Sequence, residues 1–322
     1  MDFVGISSRR DRHQHGLGLD VDGQVVLAEV SVQGQEVRPI RSARIFPHAI
    51  KDSSAPATEA TSDFTEGLSM VVKRWRLKGR SVAISVPSQL VVMRQLTVPL
   101  NANPGFIRSM VEREVVVRLP FAANSIQWDY YLAGTTMAGE QSVVVVAAPL
   151  DTIRSWLSVV TAAGLRPSEV EPSALAGLRW AKSRLAFPTA SAMLVILMHQ
   201  RVVMTLVRDG VAVSMLQAEL IWDERLESYA DEVSQEIARS AMFFRSREPS
   251  PLERVVLIDL VGASEPVKRG VAVRTELLVE VCPAPLDGEL PQFDFPDQPA
   301  EIKASDGLPA LAVGLALRRA SG

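Results

Sequence analysis

Apolar and polar residues alternate through residues 17–30 around an Asp22-Gly23 dipeptide, the pattern of a β-hairpin. Residues 37–46 continue the alternation and predict a third strand. Residues 51–62 are rich in Ser, Ala, Thr and Pro and read as a loop. The period then changes. Phe64, Leu68, Val71, Val72 and Trp75 fall on one helical face, with Arg74, Arg76, Lys78 and Arg80 gathered at its C-terminal end, where cations suit the helix dipole. Residues 81–87 predict a short buried strand.

The stretch 92–180 is the most ordered in pattern. Residues 92–100 are apolar and β-branched and close at Pro99, so they read as a strand. Pro104 suits a first helical position. Phe106, Ile107, Met110, Val111, Val115 and Leu119 recur at helical spacing up to Pro120. Residues 126–133 and 142–148 predict two more strands. Asp151 is the expected N-cap of a helix carrying Ile153, Trp156, Leu157 and Val160 and stopped by Gly164. A further helix is predicted over 173–185.

From residue 191 three apolar strands follow, with turns at His199-Gln200 and Asp209-Gly210. Residues 219–247 predict a long helix, with Val233, Ile237, Ala241 and Phe244 inward and Asp231, Glu232, Glu236, Arg239 and Arg245 outward. A buried strand at 254–260 leads into Val261-Gly262-Ala263-Ser264. Residues 279–299 are proline-rich and read as an irregular connection around a strand at 278–281. Residues 309–319 form a closing helix, and Gly314 inside it predicts close packing there.

The chain has 322 residues and 47% hydrophobic content, enough for two domains or one two-lobed domain with a large core. Its net charge of −3 lacks the basic footprint that nucleic-acid binding needs. The lone Cys282 excludes an internal disulfide and reads as a buried or strand-end thiol. No run of apolar residues is long enough to predict a membrane-spanning helix. Arg9, Arg10 and Arg12 are not followed by an apolar signal-peptide core, so residues 1–16 read as a disordered extension. The four histidines, His13, His15, His48 and His199, have no metal-ligand spacing in a structured region, and no nucleophile or zinc-hydrolase motif is present.

Several motifs in the middle of the chain resemble the PilM family of type IV pilus assembly proteins. They are Val98-Pro99, the run from Glu112 to Phe121, Asp129-Tyr130, the strand from Val143 to Ala148, and Ala163-Gly164-Leu165 continuing through Ala174-Leu175 to Arg179. The ending from Gly314 to Arg318 resembles that family's GLALR closing helix, and Glu236 with the run from Arg239 to Phe244 resembles its helix motif. The resemblance spans about residues 17–320. It implies an α/β, actin-like (ribonuclease H-like) two-lobed fold with an inserted strand-helix-strand-strand subdomain. The expected boundaries are 17–90 and 165–190 for lobe I, 91–164 for the inserted module, and 191–322 for lobe II.

The family's first hairpin carries a phosphate turn of the form D-I-G-x-S-x-x-K. Here Asp20 keeps the acidic position, but Asp22-Gly23-Gln24 adds a carboxylate, and Val26 or Leu27 replaces the lysine. The second phosphate turn is replaced by Leu197-Met198-His199-Gln200-Arg201, without its aspartate or glycine. A third element, under the adenine, keeps Gly262 and has Ala263 for its second glycine, where a Cβ would penalise a positive φ. A nucleotide, if held, would meet Asp20, Gly23, Glu236, Gly262 and Ala263. The departures predict no cofactor, no catalytic residue, no metal and no hydrolysis. The alternative is an ATP- and magnesium-binding, nucleotide-switched protein of pilus or type II secretion assembly.

The resemblance further implies a scaffold that binds the N-terminal cytoplasmic segment of a PilN-like bitopic membrane protein. Other platform and motor proteins are further expected partners, and the location is the cytoplasmic face of the inner membrane. The groove would lie between module and lobe I, on segments that include Val98, Phe106, Met110, Val111 and Leu165. The related type II secretion protein GspL would continue into a membrane-spanning helix, and the cell-division protein FtsA would carry a C-terminal amphipathic helix. Neither follows residue 319, which favours the PilM reading.

Overall fold

The computed structural model describes residues 14–22, 25–33, 36–45, 64–114, 119, 122–136, 138–187, 191–220, 225–246, 251–284 and 310–320. The expected loop at 51–62, the arginines before residue 13 and the proline-rich segment beyond 284 lie outside these residues.

Two sheets repeat one plan. In lobe I, β1 (Gln14–Asp20), β2 (Val25–Gln33) and β3 (Glu36–Ile45) form an antiparallel meander. Strands β4 (Ser81–Val86) and β8 (Arg166–Pro172) add in parallel beyond β1, giving the order β3-β2-β1-β4-β8. In lobe II, β9 (Ser191–Met198), β10 (Arg201–Arg208), β11 (Val211–Glu219), β12 (Leu252–Asp259) and β13 (Leu278–Val281) follow the same rule, in the order β11-β10-β9-β12-β13. The central strands are continuous apolar runs because both of their faces are covered. Every residue of β9 is buried.

The first strand begins at Gln14, inside the stretch that reads as an extension, and Gly16 already lies against the closing helix. The sequence pattern does not predict strand β8. Its sequence RPSEVEP carries two prolines, which a sheet accepts here because β8 is the edge strand.

Helices α1 (Phe64–Trp75), α2 (Pro104–Glu114), α3 (Leu150–Ala162), α4 (Ser173–Arg184), α5 (Leu226–Arg245), α6 (Ser264–Arg274) and α7 (Ala310–Ala320) complete the described elements. The long helix starts at Leu226, because Glu219 still belongs to β11. Asp151 does not cap α3. Pro149 occupies the N-cap position with no side-chain bond, and Asp151 lies in the first turn, 3.7 Å from Arg154.

The inserted module is a three-stranded sheet, β5 (Val92–Val98), β7 (Gln141–Pro149) and β6 (Ile126–Thr135), ordered β5-β7-β6. One face packs on α2 through Val98, Val143, Val145, Ile107 and Val111. Met93, Val144 and Ala148 join the large core shared with lobe II instead, and the Tyr131 hydroxyl donates to the Ala212 carbonyl at 2.7 Å. Helix α3, expected with the module, sends Val159, Val160 and Ala163 into the lobe I core beside Leu68, Val71, Leu19 and Ile84. By packing, the module is therefore strand-helix-strand-strand, and α3 returns to lobe I.

The closing helix also changes lobe. The sequence order assigns it to lobe II, but it lies across β1, and the packing is backbone to backbone. A Cβ on Gly16 would fall 1.9 Å from the Ala316 carbonyl oxygen, and one on Gly18 would fall 2.0 Å from that of Ala312. Helix α4 sits between this helix and lobe II, where Gly177 faces Ile196, Ile258 and Leu311. A charged cluster pins the arrangement. Glu171 accepts from Arg179 at 2.6 and 2.9 Å and from Arg318 at 2.6 Å, while Arg179 also donates to the Gly314 carbonyl.

Candidate functional site

The repeated sheets bring two hairpin turns face to face, one after β1 and one after β9. Asp20 and Asp22 are both buried at the first. Asp20 accepts from the Ser85 hydroxyl at 2.7 Å and from the Asp22 amide at 3.3 Å. Burial, then the nearby charge of Asp22, push its carboxyl up to about 8. A group in that state is a hydrogen-bonded core residue rather than a charged anchor.

Asp22 collects partners from three other elements. Its Oδ2 accepts from the Ser88 amide at 2.9 Å, in the short 3-10 turn Ser88–Leu90, and from the Ser173 hydroxyl at the first residue of α4. Its Oδ1 lies 3.2 Å from Arg201 Nη1. Arg201 begins β10, in the replaced second turn. The carboxylate thus takes up amide and hydroxyl donors at a helix N-terminus, the kind of position that suits an anion, and the guanidinium neutralises it from the other lobe.

The third element is also internally satisfied. Asp259, at the end of β12, accepts from the amides of Val261 at 2.9 Å, Gly262 at 2.8 Å and Ser264 at 2.6 Å. Gly262 has φ of +81°, the left-handed conformation that favours glycine. Ala263 has φ of −110°, so its Cβ carries no backbone penalty, contrary to the expectation. It is buried. Glu236 is half-buried on α5 and pairs with Arg239 one turn on. Gly23 lies outside the described residues.

The partner-groove residues divide. Val98 and Val111 are buried in the module's own core, and Leu165 is buried in the lobe I core, so these three are not available to a ligand. Phe106 is 44% exposed and Met110 half-buried on α2. Strand β5 turns its 93–97 segment toward lobe II and borders a cavity of about 550 Å³ with Leu206, Val213 and Phe243. A narrower apolar cleft lies where lobe I meets α3. Ile84, Val86, Pro87, Ile153, Trp156 and Val170 line it.

Cys282 is buried, and burial pushes its thiol up to about 12. No cluster of metal-ligating side chains occurs among the described residues, and no described helix is long and apolar enough to cross a membrane.

The family model for type IV pilus assembly protein PilM matches residues 20–213, from the last residue of β1 through the rest of the lobe I sheet and the module to the start of β11. The chain belongs to the PilM family. Its fold is that of the solved PilM–PilN type IV pilus biogenesis complex, at a TM-score of 0.71 and 19% identity, covering 97% of this chain and 99% of that one. The cytoplasmic domain of EpsL, an inner-membrane component of the Vibrio cholerae type II secretion system, is more distant, at a TM-score of 0.51 and 10% identity, with 95% of each chain covered. No curated protein matches. The PilM assignment makes this a type IV pilus assembly protein with an actin-like two-lobed fold.

Sequence reasoning notes Arg201 only as part of a turn. The signal is present as two complementary departures, an added carboxylate in one turn and an arginine in the other.

Proposed function

We propose that this PilM-family protein is a non-hydrolysing scaffold of the type IV pilus inner-membrane platform. It binds the N-terminal cytoplasmic segment of a PilN-like membrane protein and is held through it at the cytoplasmic face of the inner membrane. The observation that carries this reading is the fold-wide similarity to a PilM–PilN complex. The partner segment runs in extended form along the junction of module and lobe I. Its apolar side chains pack on the exposed Val170 and half-buried Trp156 at the rim of the shallow cleft, and the exposed Phe106 and Leu100 offer further apolar surface on the module.

Three observations support the absence of hydrolysis. The Asp22 carboxylate of the first turn occupies the Ser88 amide and the Ser173 hydroxyl, Arg201 stands in the second turn, and Asp259 holds the amides of the third. A phosphate there would lose the N–H cradle that stabilises it.

Isothermal titration tests both parts, using the full chain, a synthetic PilN-type N-terminal peptide, and ATP with magnesium. The expected result is peptide heat without ATP heat, with Val170→Asp weakening the peptide at least tenfold and leaving Tm unchanged. Micromolar ATP binding would return the protein to the nucleotide-switched class. A peptide indifferent to Val170→Asp would move the binding site elsewhere.

A further inference from the structure

The pairing of Asp22 with Arg201 has a property that neither turn has alone. Asp22 belongs to lobe I, where Ser88 and Ser173 fix its carboxylate. Arg201 belongs to lobe II, where it begins the strand that pairs with β9 at Arg201↔Met198. The Asp22 side chain is fully buried and that of Arg201 only 17% exposed. A charge pair so far out of water is screened weakly by salt. The pair lies at the turn ends of β1 and β9, beside the N-terminus of α4, whose Ser173 shares the Asp22 carboxylate and whose Gly177 packs farther along on Ile196 and Ile258 of lobe II.

We infer that Asp22 and Arg201 form an interlobe clamp, which holds the two hairpin turns together and so fixes the relative disposition of the lobes without a nucleotide. An external anion with its cation would otherwise have to bridge these turns. Here one side chain from each lobe supplies the negative and the positive group. None of the clamp's four residues, Asp22, Ser88, Ser173 and Arg201, lines the cleft at α3.

Hydrogen–deuterium exchange and small-angle scattering on the full chain test the clamp, with the variants Arg201→Met and Asp22→Asn/Arg201→Met. Arg201→Met keeps the aliphatic stem but leaves Asp22 without its cation. In the double variant the introduced asparagine still accepts from the Ser88 amide through its side-chain oxygen, and no uncompensated charge remains. The expected result is at least tenfold faster exchange of the residue 19–27 and 197–203 amides in both variants, a larger radius of gyration in both, and lower thermal stability mainly in the single variant. Unchanged exchange in these two turns, in either variant, would overturn the clamp. If Arg201→Met fails to fold, the double variant alone decides: wild-type exchange in both turns overturns the clamp, and faster exchange confined to them supports it.

Discussion

Gly314 and Ala176 touch through their backbones. A Cβ on Gly314 would fall 2.0 Å from the Ala176 carbonyl oxygen, so α7 and α4 cross at the closest approach a glycine allows. Neither helix backbone can give way cheaply, because α7 is also pressed on β1 at Gly16 and Gly18. Gly314→Ala is therefore expected to destabilise the protein by about 3 kcal/mol, at the upper end of overpacking costs. Urea unfolding followed by circular dichroism measures it. A change below about 0.5 kcal/mol would mean the crossing is loose.

Asp20 gives the protein a pH dependence of known sign. Its folded pKa of about 8 is above the ordinary value of 3.8, so the native state keeps a proton that the unfolded chain releases. This contribution is fully present below about 4 and is lost as pH rises toward about 8. Asp20→Asn copies the neutral form and can still accept from Ser85. It is expected to raise Tm at pH 8 and to flatten the Tm profile between pH 5 and 8. Parallel wild-type and variant profiles would show that Asp20 is ionised in the fold.

The module separates core from surface along one helix. Ile107 is buried, and its neighbour Phe106 is 44% exposed. Ile107→Ala is expected to cost about 3 kcal/mol. Phe106→Ala is expected to change stability by no more than about 0.5 kcal/mol, while weakening capture of a PilN-type peptide. Denaturation and peptide titration on the same two variants check this. Equal stability losses would put Phe106 in the core.

Arg179 bonds both carboxylate oxygens of buried Glu171 and reaches the Gly314 carbonyl. Lysine can carry the charge but not the planar fork. Arg179→Lys is expected to lose about 2 kcal/mol through the missing charge-assisted bond, with faster amide exchange along α7. Exchange as slow as wild type would show that Arg318 alone holds Glu171.

Much of this was legible in the chain. Runs such as those of β9 and β10 have one interpretation, because a strand buried on both faces must be apolar throughout. The meanders, the module and most helix ends follow from local pattern and turn chemistry. Strand β8 was not legible because its prolines argue against a strand until its edge position is known. The allegiance of α3 and α7 was hidden for another reason. An apolar stripe says that a helix is buried, not against which sheet. At the candidate site, residue type identified Asp20 and Gly262, but burial decided the role of Asp20, and the amide bond to Asp259 that of Gly262. Val98, Val111 and Leu165 had the right character for a groove and turned out to be core. Asp22–Arg201 joins residues 179 positions apart, a separation that no local period encodes.

The position of α7 on β1 bears on how the chain is made. Synthesis proceeds from the N-terminus, so the face of the first sheet over Gly16 and Gly18 emerges almost a full chain length before the helix that covers it. Until Ala312 and Ala316 leave the ribosome, that face is open, and lobe I cannot close as an independent unit. Lobe II can pair all five of its strands sooner. The half of the molecule that is translated first is thus the half that is finished last, and a nascent chain stalled before residue 310 would present an apolar sheet to chaperones.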